Sequence, residues 1–169
     1  PTAERCLAAR PVWLASVLGA PRRIPLMPAL FDLLIVDEAS QCDIAAALPL
    51  FARARRAAVV GDNHQLAFIP GLGAAQDRNL MASQGLPSSG MGRWSQGLNS
   101  LFDLAHGTPG VPSVMLRDQF RSAPGITGYI NEAFYGGRLR VAADPERLRE
   151  VPGRSPGLHW TDVRGTARP

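Results

Sequence analysis

The amino-acid sequence predicts a layered α/β fold built on parallel strands, and three consecutive segments carry that prediction. Phe31 to Asp37 runs apolar through Leu33 to Val36 instead of alternating, the pattern of a strand covered on both faces. Ala57 to Gly61 reads as a second buried strand. Between them, Asp43 to Arg56 has helical composition, with an acidic residue near its start and Arg53, Arg55 and Arg56 near its end. That polarity complements the helix dipole at both termini, although Pro49 interrupts the middle. Strand, helix and strand in this order make one crossover unit.

The flanking segments are weaker in pattern. Pro11 to Leu18, PVWLASVL, reads as a short apolar strand, followed by the Pro-rich connector PRRIPLMP. Gly71 to Gly97 is rich in Gly, Ser, Gln and Asn with little periodicity, and reads as a long insertion. Ser100 to His106 reads as a short helix closing a first domain, and GTPGVP, Gly107 to Pro112, as an interdomain link. The expected division is therefore 1–107 and 108–169. Beyond the link, Ser113 to Leu116 reads as a strand. Pro124 to Phe134 reads as a helix with Pro in its first turn, Ser122 as a candidate cap, and Gly136 and Gly137 as its stop. The Arg-, Pro- and Gly-rich remainder offers one strand, around Leu158 to Val163. No internal repeat is present.

The totals narrow the class. The chain has 169 residues, 46% of them hydrophobic, enough for a buried core. Its apolar runs are too short to span a membrane, and no signal stretch opens it. Pro1 stands where an initiator Met would, which suggests an excised segment. Two cysteines, Cys6 and Cys42, make neither a CxxC pair nor a disulfide framework, so a reducing, cytoplasmic setting and two buried small apolar side chains are expected. Net charge is +4 and the pI about 10.0. This suits a polyanionic partner, but all 18 basic residues are Arg, which a GC-rich genome also explains. Without any Lys, a complete GxxxxGK[ST] phosphate loop cannot exist within the chain.

Three strings carry chemistry. LLIVDEAS places Asp37 and Glu38 where a buried strand leaves its sheet, the edge at which open α/β folds bind ligands. Magnesium prefers hard oxygen ligands and keeps several waters, so a single carboxylate, Asp37, suffices to hold the hydrated ion. A carboxylate one residue later, Glu38, can orient and deprotonate an attacking water, a contribution of ~10²–10⁴-fold. The alternative is that an acidic pair merely ends a strand. In AVVGDNHQL, Asp62 and Gln65 lie on the turn after the neighbouring strand. A Gln amide both donates to a phosphate oxygen and accepts from water, which makes Gln65 a candidate sensor of the terminal phosphate. A polar turn with Gly61 at a tight corner is the plainer account of GDN. LRDQFRS supplies Arg121, which from a neighbouring domain would stabilise a transferring phosphoryl group, worth ~10³–10⁵ in rate. Its alternative is a local ion pair with Asp118. Gln119 either contacts the nucleotide or holds the Arg. His64 has no metal-ligand neighbour at suitable spacing.

With these strings in place, the chain resembles the superfamily 1 helicases, in the branch whose Walker B motif reads DEAS and whose next motif reads GDxxQL. LFDLLIVDEASQCDIAAALPLFARARRAAVVGDNHQL is continuously similar to that family. NSLFDLAHGTPGVPSVMLRDQFRSAPGITGYINEAFYGGRL is similar to its passage from the first RecA-like domain into the second. The resemblance covers Trp13 to Val141 and implies an incomplete RecA-like P-loop NTPase sheet with flanking helices. It implies ATP as substrate, Mg2+ held through water by Asp37, Glu38 as catalytic base, Gln65 on the γ phosphate, and Arg121 as the finger. It further implies that Ser40 couples nucleotide to strand movement and that Ser16 touches the nucleic-acid backbone of single-stranded DNA or RNA. Many relatives follow GDxxQL with two prolines, whereas this chain has Ala67, Phe68, Ile69 and Pro70. Phe68 is therefore either a base-stacking aromatic or a core one.

Since the Walker A loop and the family's last two motifs are missing, this chain alone is expected not to turn over ATP. A non-catalytic nucleic-acid-binding or scaffold module derived from a helicase is the competing reading. A transporter-type ATPase is disfavoured because no LSGGQ-like stretch precedes LLIVDE. The isolated chain is also expected to associate through an exposed sheet edge. Light scattering at high concentration should show species larger than a monomer, and a monodisperse monomer would contradict this.

Overall fold

A computed structural model describes residues 3–86, 92–147, 152–153 and 159–166 of the chain. The chain divides into two compact units, Pro1–Ser113 and Val114–Pro169.

In the first unit, short helices α1 (Ala3–Ala9) and α2 (Ala20–Arg23) precede strand β1 (Leu34–Val36), helix α3 (Ile44–Phe51) and strand β2 (Ala57–Val59). The strands pair in parallel, Leu34 with Ala57, Ile35 with Ala58 and Val36 with Val59. The crossover unit expected from the sequence is thus present, and it is shorter. Asp43 caps α3, its carboxylate accepting from the Ala46 N–H at 2.9 Å. The helix ends two residues after Pro49, whose missing N–H removes a helical hydrogen bond. Arg53 therefore lies beyond the helix rather than in its last turn. Its side chain is only 4% exposed, and the guanidinium donates to the carbonyls of Ile24, Pro25 and Pro49. Carbonyl acceptors let a buried cation keep its hydrogen bonds, and here they fasten the Pro-rich connector to the end of α3.

The core lies on one face of the β1–β2 pair. Val36, Ala39, Ala47 and Leu101 are buried together, with Leu34, Phe51, Val59 and Phe102 packed against them. Alternation along a strand sends Leu33 and Ile35 to the other face, where they are 53% and 62% exposed. The apolar run that predicted cover on both faces is covered on one, among the described residues, and Ala57 and Ala58 of β2, expected buried, are exposed.

Two further expectations change. Pro11–Leu18 is not a strand: Ser16 organises a turn in which its carbonyl accepts from the Gly19 and Ala20 N–H groups at 3.0 and 2.9 Å. The insertion contains helix α4 (Ala74–Ser83). This helix is pinned by a polar contact, so it carries no apolar stripe to read. Its buried Asp77 accepts from Ser95 Oγ at 2.6 Å and from the Gly97 N–H at 3.3 Å. The segment then enters α5 (Leu101–His106) through a capping box. The Ser100 hydroxyl accepts from the Asp103 N–H, and the Asp103 carboxylate accepts from the Ser100 N–H.

In the second unit, β3 (Asp118–Gln119) pairs in parallel with β4 (Arg140–Val141), and α6 (Pro124–Tyr135) connects them. The strand begins at Asp118 rather than over Ser113–Leu116, because the ladder partner reaches only Asp118 and Gln119. Gly136, at φ 58°, ends α6 in the left-handed region that glycine tolerates. Ser122 does not cap α6; the N-cap position is Ala123, with no side-chain cap. Residues 159–163 form no strand, and Leu158 lies outside the described residues.

Burial assigns unequal weight to two leucines. Leu101→Ala should lower the unfolding free energy by ~2–5 kcal/mol, whereas Leu14→Ala, at a position 97% exposed, should change it by less than about 0.5 kcal/mol. Urea denaturation of both variants checks this, and equal midpoint shifts would contradict the assigned core.

Candidate functional site

The two chemistry-bearing turns of the first unit leave β1 and β2 at the same end, and the parallel ladder continues past both strands. The Val60 N–H donates to the Val36 carbonyl and the Ala39 N–H to the Val60 carbonyl, each at 2.8 Å. Asp37 and Glu38 are held between these two bonds. Both carboxylates are exposed. Glu38 adopts φ 52°, ψ 40°, a left-handed conformation uncommon for a side chain of this size, as it starts the 3₁₀ turn Ala39–Gln41. The Gln41 amide donates to Glu38 Oε2 at 3.4 Å. Gln41 lies one short turn beyond Glu38 and was not singled out from the sequence.

Ser40 joins the turns. It is buried, its carbonyl accepts from the Phe68 N–H at 3.1 Å, and its hydroxyl receives the Asp62 N–H at 3.5 Å, the long limit for such a bond. Asp62 in turn organises its own loop: Oδ1 accepts from the His64 N–H at 3.0 Å and Oδ2 from the Gln65 side-chain amide at 2.9 Å. Asp37, Glu38, Ser40, Asp62 and Gln65 therefore belong to one hydrogen-bonded pair of turns. Phe68 is half-buried and is anchored there through its backbone. Ser16 lies in a different part of the unit, its hydroxyl accepting from the Gly19 N–H at 3.1 Å.

Behind the turns stands α5. The Leu101 N–H donates to the Cys42 carbonyl at 3.0 Å, and the Phe102 ring packs on Gly61 while stacking on His106 at 5.7 Å. A Cβ at Gly61 would come within 2.6 Å of that ring. Close approach of an aromatic, rather than a tight corner, is what requires glycine there, and no motif letter signalled Phe102. Burial first, and then the negative charge of Glu38, push the Cys42 thiol above its ordinary pKa. Its Sγ donates to the Glu38 carbonyl at 3.6 Å. Neither cysteine is the buried side chain expected from the sequence: Cys42 is half-buried and Cys6, on the short α1, is exposed.

Could this end of the sheet hold a metal nucleotide? Asp37 Oδ1 accepts from the Glu38 N–H at 2.9 Å, and Oδ2 has no hydrogen bond among the described residues. An exposed carboxylate with one committed oxygen fits a hydrated magnesium ion held through water. Among the described residues, no three His, Cys, Asp or Glu side chains converge as a cage would need.

In the second unit, Gln119 and Arg121 lie on the turn between β3 and α6. Gln119 Oε1 accepts from the Arg121 and Ser122 N–H groups at 3.1 and 3.0 Å. Asp118 is engaged by Arg140 in a bidentate pair at 2.7 and 3.1 Å. That pair replaces the local ion pair between Asp118 and Arg121. The Arg121 guanidinium, on an exposed residue, makes no hydrogen bond or ion pair among the described residues. Phe120, also not anticipated, is 66% exposed between them. No helix among the described residues is long and apolar enough to cross a membrane.

Two comparisons bear on what these turns are. A family model described as an AAA domain matches residues 19–68, the stretch that runs from α2 through both turns. The chain is also 32% identical over 117 residues to "Probable helicase MAGATAMA 3" of Arabidopsis thaliana. That alignment covers 69% of the chain, which spans only 12% of the relative's length. The family model falls on the segments that build the paired turns, and together the two matches support a superfamily 1 helicase-like domain.

Proposed function

We propose that the chain forms one wall of the ATP site of a nucleic-acid helicase or translocase, coupling ATP hydrolysis to movement along single-stranded DNA or RNA. In this reading residues 1–107 are the later part of a first RecA-like domain and 108–169 the beginning of a second. The observation that carries it is the junction of the DEAS and GDNHQL turns through the Ala39–Val60 and Ser40–Asp62 hydrogen bonds. That junction puts a candidate base and a candidate phosphate sensor at the end of one sheet, where an α/β fold takes its ligand.

The residues divide the work by chemistry. Magnesium, when bound with the nucleotide, would neutralise phosphate charge. Asp37 would hold the ion's water shell, and Glu38 would orient the attacking water and take its proton. Gln65, now bonded to Asp62, would exchange that bond for one to the terminal phosphate, so that loss of phosphate is felt in the loop anchored on Ser40. Phe68, on that same loop, and Ser16 would meet the nucleic acid. Arg121 would supply positive charge to the transferring group. The chain has no Lys, so the phosphate loop must be supplied from elsewhere, and the chain by itself would be inactive. Free thiols at Cys6 and Cys42 suit the reducing cytoplasm.

The experiment is kinetic, in the full-length protein. Glu38→Gln should leave Mg-ATP affinity within a few-fold and reduce nucleic-acid-stimulated hydrolysis by ~10²–10⁴-fold. Hydrolysis at the unsubstituted rate would contradict the assignment of the base. A full-length protein that neither binds nor hydrolyses ATP would point to a scaffold module instead.

A further inference from the structure

We propose that Gln119 is a positioning residue, its side-chain amide fixing the turn from which Arg121 projects, and that it does not itself contact the nucleotide. This deepens the reading of Arg121 as a phosphate-facing group and rests on it.

The hydrogen bonds around Gln119 are almost fully committed within its own turn. Oε1 accepts from two consecutive backbone groups, Arg121 N–H and Ser122 N–H, and more distantly from Thr127 Oγ at 3.4 Å. Nε2 donates to Ser122 Oγ at 3.0 Å. An amide oxygen has two lone pairs, and both are occupied. Thr127 is 0% exposed on α6, so the hub ties the turn to the helix that follows it. Ser122 stands one residue before the N-cap position, Ala123, and its hydroxyl receives the Gln119 amide instead. One residue before Gln119, the bidentate pair with Arg140 engages the Asp118 carboxylate that a local ion pair with Arg121 would need. The turn is therefore held on both sides while the guanidinium between them makes no hydrogen bond or ion pair among the described residues. A long cation loses less conformational entropy on binding phosphate when its backbone is already ordered.

Two substitutions separate positioning from direct contact. Gln119→Glu keeps acceptor oxygens for the two N–H groups, and the Ser122 hydroxyl then donates to the carboxylate. Gln119→Leu removes all of these bonds. An amide that donated to phosphate would instead be replaced in the Glu variant by a repelling negative charge. In the full-length protein, Gln119→Leu should lower kcat towards the Arg121→Ala value with KM for ATP nearly unchanged, while Gln119→Glu stays within a few-fold of the original. Amide hydrogen exchange at Arg121 and Ser122 should accelerate about two- to tenfold in Gln119→Leu, the effect of one lost hydrogen bond, and remain unchanged in Gln119→Glu. Equal damage from Glu and Leu, or unchanged exchange in Gln119→Leu, overturns the proposal. If Arg121→Ala leaves hydrolysis intact, the phosphate role of Arg121 fails, and the exchange rates alone decide whether Gln119 orders the turn.

Discussion

The pairing of β1 with β2, and its continuation past both strand ends, is the constraint on which the rest of the first unit depends. Parallel register fixes which residues leave the sheet together. Because Val36 lies opposite Val59, Asp37 and Glu38 emerge beside Val60, the residue before Gly61 and Asp62. The bonds from Val60 to Val36 and from Ala39 to Val60 extend the ladder into the turns, so backbone geometry fixes where the acidic pair stands. A one-residue slip would send Val36 out of the core and separate the two motifs. Packing behind the turns reinforces that register. Leu101 packs with Ala39 and Phe102 on Gly61 from α5, which starts at a capping box.

The second unit repeats the logic on a smaller scale. A parallel strand pair carries a turn at its edge, and polar side chains rather than an apolar core hold that turn. Gln119 bonds two backbone groups, Asn131 pairs with the Leu139 backbone at 2.8 and 3.0 Å in the manner of a ladder residue, and Arg140 grips Asp118. In both units an exposed candidate side chain stands on a turn anchored by backbone hydrogen bonds.

How much of this was legible in the sequence varies with the kind of signal. The crossover unit was readable, because apolar runs around Val36 and Val59 and an Asp at the start of α3 are local signatures of buried strand and capped helix. The buried role of Arg53 was not, since it depends on the distant carbonyls of Ile24 and Pro25. Helix α4 escaped notice because its buried face is a carboxylate and not an apolar stripe. Pro11–Leu18 and Ser113–Leu116 looked like strands for the opposite reason: apolar composition reports an affinity for cover but cannot supply a ladder partner. At the candidate site the acidic pair, Asp62, Gln65 and Arg121 were visible as motif letters. The supports of Glu38 and Gly61, namely Gln41 and Phe102, were invisible, because nothing in their spacing reveals which turn they touch.

The central claim is that the Asp37–Glu38 and Asp62–Gln65 turns face one Mg-nucleotide. It is tested most directly by an experimental structure of the full-length protein with Mg2+ and a non-hydrolysable ATP analogue. The account predicts the terminal phosphate at the shared end of β1 and β2, a metal-bound water on the Asp37 carboxylate, and the Gln65 amide turned from Asp62 to a phosphate oxygen. Nucleotide bound at another part of the molecule, with the Gln65–Asp62 bond intact and no water-mediated contact to Asp37, would contradict it.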